Sequence, residues 1–121
     1  MTRTNQRRVS VLLVEDETLI RMMLAGMVEE LGHTVVGEAA NIPDALRLAQ
    51  TADFDVAILD INVGGSRIDP VAAIINSRGL PFVFASGYGA VGAPEAFRDR
   101  TVLQKPFLME RLGAAIEAAM G

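Results

Sequence analysis

At 121 residues, half of them hydrophobic but only 5% aromatic, the chain suits one domain around an aliphatic core. It has no cysteine, which excludes a disulfide framework and a thiolate metal site, and its net charge of −4 argues against non-specific nucleic-acid binding. No window holds the roughly 18 apolar residues of a membrane span. Residues 1–8 carry Arg3, Arg7 and Arg8 without the apolar stretch of a signal peptide. They read as a short disordered lead-in to a single cytoplasmic domain at 9–120 that contacts no membrane.

Residues 9–14 form a strongly apolar first strand. Leu19, Ile20, Met23, Leu24, Met27, Val28 and Leu31 then recur at helical spacing, and Gly32 stops that helix. Met22, Met23 and Met27 read mostly as core filler, and His33 as an exposed turn residue. Residues 34–39 are a second strand, with the polar Glu38 suiting a place near a sheet edge. Asn41 is an N-cap with Pro43 in the first turn, opening a helix through Ala45, Leu46 and Ala49. Residues 56–60 are the third strand and 62–67 a glycine-rich loop. Asp69-Pro70 then caps and starts a helix that ends near Arg78-Gly79.

Residues 81–85 are the fourth strand, with Pro81 at its start, where a missing donor is tolerated. Three glycines and a proline in 87–94 discourage a helix there, and 95–99 supply little more than a turn. Residues 101–104 are a short fifth strand. The last helix spans 107–120, with Leu108, Leu112, Ala115, Ile116 and Ala119 inward. Short apolar runs alternating with about five helices predict a buried parallel sheet. Right-handed crossovers then give a flavodoxin-like α/β/α sandwich of strand order 2-1-3-4-5.

In such a sheet the carboxyl ends of the strands share one edge, where ligands bind. Glu15 and Asp16 follow the first strand, Asp60 ends the third, Ser86 follows the fourth, and Lys105 with Pro106 follows the fifth. Crowded carboxylates repel unless a cation intervenes. A hard, oxygen-preferring ion such as Mg²⁺ suits them, and it turns Asp60 into a nucleophile for an aspartyl phosphate. Lys105 and Ser86 offer a cation and a hydroxyl to phosphoryl oxygens. Pro106 is compatible with a cis bond that aims the lysine inward. Singly, each residue has a plain alternative as a helix cap, a turn or solvated surface. The shared position of all of them carries the reading.

The segments VLLVEDE (11–17), AILDINVGG (57–65), FVFASGYG (82–89) and VLQKPF (102–107) resemble a receiver domain of two-component response regulators. That resemblance implies Asp16 as a direct Mg²⁺ ligand and Glu15 as its acidic partner, acting through water. It also implies Asp60 as the phosphorylated residue, Asn62 lending a backbone carbonyl to the metal, Ser86 at the hydroxyl position, and Lys105 as the family's lysine. Phosphate would come from a histidine kinase or a histidine phosphotransfer protein. His33 has no kinase apparatus around it, so the donor lies on a partner. The resemblance further implies a monomer or weak homodimer, no nucleic-acid contact, and no catalysis beyond self-phosphorylation and autodephosphorylation.

Two departures bear on the switch. Val102 stands where most receivers place Tyr or Phe, and Val63-Gly64-Gly65 replaces a Met-Pro loop. Residues 84–89 resemble the "FAT GUY" motif of a subgroup common in alphaproteobacteria. Tyr88 either supplies the missing aromatic or merely packs or faces water. Switching is then expected to rest on Ser86 and an ordering of 87–94. Two other functions compete. A Mg²⁺ phosphohydrolase with an aspartate nucleophile needs an acid two residues after Asp60, where Asn62 stands. A degenerate receiver acting as a phosphorylation-independent binding module would not need Asp16, Asp60, Ser86 and Lys105 together.

Overall fold

The computed structural model describes residues 8–87 and 92–121. The expected lead-in therefore lies outside the described residues except for Arg8, and so does Tyr88. Five parallel strands form the main sheet: β1 (Ser10–Val14), β2 (Thr34–Ala39), β3 (Val56–Asp60), β6 (Phe82–Ser86) and β7 (Val102–Gln104). Their order is β2-β1-β3-β6-β7, the expected 2-1-3-4-5 when these five are counted along the chain. Among the described residues four helices cover the two faces: α1 (Thr18–Glu30), α2 (Ile42–Thr51), α3 (Asp69–Ser77) and α4 (Met109–Met120).

The period of two along each strand divides the core. Leu12, Val14, Ala57, Leu59, Phe82 and Phe84 pack with Ala45 and Ala49 of α2 and Val71, Ala72 and Ile75 of α3. Val11, Leu13, Val56, Ile58, Val83 and Ala85 pack with Leu24 and Val28 of α1 and Leu112, Ala115 and Ile116 of α4. A central strand covered on both faces must be apolar along its length, and β3 and β6 are apolar at every position but the last, Asp60 and Ser86.

The boundaries have local causes. Gly32, at φ +93°, closes α1, with the His33 amide donating to the Val28 carbonyl. The Asn41 side chain accepts from the Asp44 amide, as expected of an N-cap. Between β6 and β7 the described chain includes a 3-10 turn at Glu95–Phe97, in line with the short turn expected there.

Several expectations need correction. The Asp69 side chain does not cap α3: Ile68 is the N-cap, and Asp69 lies in the first turn, paired with Arg67. Helix α4 starts at Met109 rather than 107, and Leu108 is its exposed N-cap instead of an inward residue. His33 is half-buried, its Nδ1 accepting from the Val9 amide at 3.1 Å. Leu19 is 81% exposed, Met22 62% and Met23 46%, so these three are not core. At about 100° per residue the buried arc of α1 centres on Leu24 and Val28. Leu19 and Met22 fall on its far side and Met23 at its border.

The glycine-rich 62–67 segment is a miniature antiparallel hairpin, β4 (Asn62–Val63) and β5 (Ser66–Arg67). Gly64 (φ +58°) and Gly65 (φ +83°) form its turn. Two consecutive positive φ values are what a two-residue hairpin turn of the primed type demands.

Candidate functional site

The carboxyl edge of the sheet gathers the predicted residues. The Glu15 amide donates to the Ala39 carbonyl, carrying β1 pairing one residue further and turning the Glu15 side chain inward, where only 1% is exposed. Asp16 is half-buried, and its Oδ2 accepts from the Gly64 amide at 3.0 Å. Asp60 is the last residue of β3 and is buried; its Oδ1 accepts from the Asn62 amide at 3.3 Å. Ser86 is buried at the end of β6, and its carbonyl accepts from the Lys105 amide at 2.9 Å, which places the lysine beside it. The Lys105–Pro106 peptide bond is cis.

Lys105 joins the acids. Its Nζ donates to Glu15 Oε1 at 2.8 Å and to Asp60 Oδ2 at 3.2 Å. The other Glu15 oxygen accepts from the Glu17 amide at 3.1 Å. Burial, and then the charge of Glu15, push the Asp60 carboxyl up from 3.8 to about 6, against the opposing pull of Lys105 and the Asn62 N–H. For Lys105, burial favours the neutral amine, but its hydrogen bond to Glu15 and the charges of Asp60 and Glu15 outweigh this and hold it above the ordinary lysine value.

One carboxylate oxygen from each of Glu15, Asp16 and Asp60 lies within 4.8 Å of the others. Three hard oxygen donors, among them an Asp60 carboxyl whose ionisation burial and the Glu15 charge oppose, suit a divalent cation of the Mg²⁺ type, whose positive charge would favour the ionised form. The donors present fit the ion.

Sequence reasoning missed two arginines. Arg21, in the second turn of α1, donates from Nη1 to the Glu15 carbonyl at 2.8 Å and from Nε to Glu38 at 3.1 Å, holding the end of β1 from behind. An arginine one helical turn past an acidic strand end was the available signal. Arg67 closes the hairpin beside the site, and the Gly-Gly pair between two short extended segments was the sign of that hairpin.

Fold and site together define a class: a flavodoxin-like domain with an acidic, lysine-bridged pocket at the carboxyl edge of its parallel sheet. Residues 11–117 match the response regulator receiver domain family. The chain is 37% identical over 114 residues to the transcriptional regulatory protein PdtaR of Mycobacterium tuberculosis, covering 91% of this chain and 56% of that protein. It is 32% identical over 119 residues to the phyllosphere-induced regulator PhyR of Methylorubrum extorquens, covering 91% and 43%. It thus spans about half the length of these two relatives. The solution structure of SdrG from Sphingomonas melonis Fr1 has a TM-score of 0.81 at 41% identity, covering 94% of this chain and 98% of SdrG. The chain belongs to the response regulator receiver domain family.

Proposed function

We propose that this domain accepts a phosphoryl group onto Asp60 from a phosphohistidine on a partner protein, in a Mg²⁺-dependent reaction, and changes its protein contacts as a result. The observation that carries this reading is Lys105 Nζ set between Glu15 and Asp60, with the Asp16 carboxylate in reach of both acids. In the transfer, an Asp60 carboxylate oxygen forms a bond to phosphorus while the phosphorus–nitrogen bond to the donor imidazole breaks. The electron pair of that bond stays on the imidazole nitrogen. Lys105 is placed to exchange its carboxylate partners for a phosphoryl oxygen, and Ser86, at the end of the adjacent strand, supports the role of a second donor.

Asp16, Asp60 and the Asn62 carbonyl, with Glu15 through water, would hold the Mg²⁺. When bound, the ion supplies the charge neutralisation that lets a carboxylate meet an anionic phosphoryl group. Asn62, exposed two residues after Asp60, has no acidic proton for a leaving group, which favours a receiver over a phosphohydrolase.

The exposed Leu19, Met22 and Met23 of α1, together with Leu108 ahead of α4, offer the apolar contacts for the donor. A histidine kinase or histidine phosphotransfer protein fits that role, and the downstream partner is a second protein. The test is intact-mass measurement after incubation with acetyl phosphate. The parent gains one phosphoryl group with Mg²⁺ and none without it, and Asp60→Ala gains none in either case. Normal stoichiometry in Asp60→Ala would overturn the assignment.

A further inference from the structure

The β4–β5 hairpin touches two of the three acids that the proposed function assigns to the metal, Asp16 and Asp60. The Asn62 amide donates to Asp60 Oδ1 at 3.3 Å, and the Gly64 amide at its tip donates to Asp16 Oδ2 at 3.0 Å. Its other strand ends in Arg67, which stands opposite Asn62 in the ladder. The Arg67 guanidinium forks: Nε donates to Asp69 Oδ1 at 3.0 Å and Nη2 to the Gly92 carbonyl oxygen at 3.0 Å. Gly92 begins the described return path toward β7, and a Cβ built on it would lie 3.5 Å from the Ile61 side chain. Ile61 in turn leads into the hairpin. Its amide donates to the Ala85 carbonyl at 3.1 Å, and its carbonyl accepts from the Ile68 amide at 3.0 Å. Buried Val63 pins the body of the hairpin. A single small element therefore holds Asp16 and Asp60 at one end and Gly92 at the other.

We propose that Arg67 is a positioning residue, which transmits the state of Asp16 and Asp60 to the chain beyond β6 through its hydrogen bond to the Gly92 carbonyl. This rests on the metal reading above, because a cation that recruits the Asp16 and Asp60 carboxylates competes for them with the Gly64 and Asn62 amides. Paired across a two-residue turn and pinned by buried Val63, the hairpin is small enough to shift as a unit. Its forked, planar donor set lets Arg67 grip Asp69 and Gly92 at once, which a lysine ammonium does less specifically. Because Arg67 is half-exposed and touches neither Asp16 nor Asp60, its replacement leaves the acids in place.

The experiment is a Mg²⁺ titration of the whole chain followed by NMR, reading the Gly64 amide and the Gly92 carbonyl carbon. In the parent both signals move with one midpoint. In Arg67→Ala the Gly64 response persists at that midpoint while the Gly92 response falls by at least half; Arg67→Lys gives an intermediate value. An undiminished Gly92 response in Arg67→Ala, or separate midpoints in the parent, overturns the tether while leaving the metal reading intact. Absence of any Gly64 response in the parent overturns the tether at its source. If calorimetry then also detects no Mg²⁺ binding, the metal reading falls with it.

Discussion

Asp60 is a destabilised anion in the metal-free domain, and this has a definite sign. Its carboxyl is raised to about 6, so the folded state holds a proton more tightly than the unfolded chain does. Below about pH 4 both states are protonated and the cost is absent. It grows as pH rises toward 6 and is complete above that. A displacement of roughly two pH units corresponds to about 3 kcal/mol. Asp60→Asn in metal-free buffer is therefore expected to gain about 1–3 kcal/mol at pH 7 and to lose the decline in stability between pH 4 and 6. Urea unfolding of both proteins across that range checks it, and an unchanged pH profile would count against a buried, repelled carboxyl.

Lys105 competes with any cation for Glu15 and Asp60. Lys105→Ala should bind Mg²⁺ several-fold more tightly, yet lose the conformational response to a phosphate mimic such as beryllofluoride, since the group that grips the phosphoryl oxygen is gone. A parental response in that variant would remove the lysine from the switch. Asp16→Asn should instead weaken Mg²⁺ binding, read by the same titration.

At the scale of elements, α1 presents two faces that predict opposite outcomes. Leu24 is 1% exposed against the sheet, so Leu24→Ala should cost about 2–5 kcal/mol. Leu19→Ser and Met22→Ser should stay within about 0.5 kcal/mol of the parent but slow phosphate transfer from a phosphohistidine protein. Equal transfer rates would move the donor surface elsewhere. Gly64 has open space around a hypothetical Cβ but a φ of +58°, so Gly64→Ala carries only the left-handed backbone cost, about 1–2 kcal/mol.

These elements also mark what was legible in the sequence. Strands β1, β3 and β6 announced themselves because burial on both faces demands unbroken apolar runs, and the polar residues ending them located the site edge. Leu19, Met22 and Met23 mislead because an exposed apolar stripe on the outer side of α1 has the same composition as core. The hairpin has no strand signal in the sequence because each of its strands is two residues long, too short for any periodicity. The Lys105–Glu15 bond joins residues 90 apart in sequence, and only the register of β1, β3, β6 and β7 brings them together.

At the scale of the molecule, a rigid two-faced sheet holds one chemical edge. Its central strands are buried, whereas the hairpin donates amides to Asp16 and Asp60 at the edge that also carries Lys105. Among the described residues no helix is long and apolar enough to cross a membrane. On the proposed function Asp60 itself becomes the acyl phosphate. Borohydride reduction after acetyl phosphate and Mg²⁺ treatment, followed by tandem mass spectrometry, converts an aspartyl phosphate to homoserine where it stood. Homoserine at position 60, and only when Mg²⁺ was present, is the predicted result; homoserine at position 16, or none at 60 in a protein whose mass shows phosphorylation, would contradict the account.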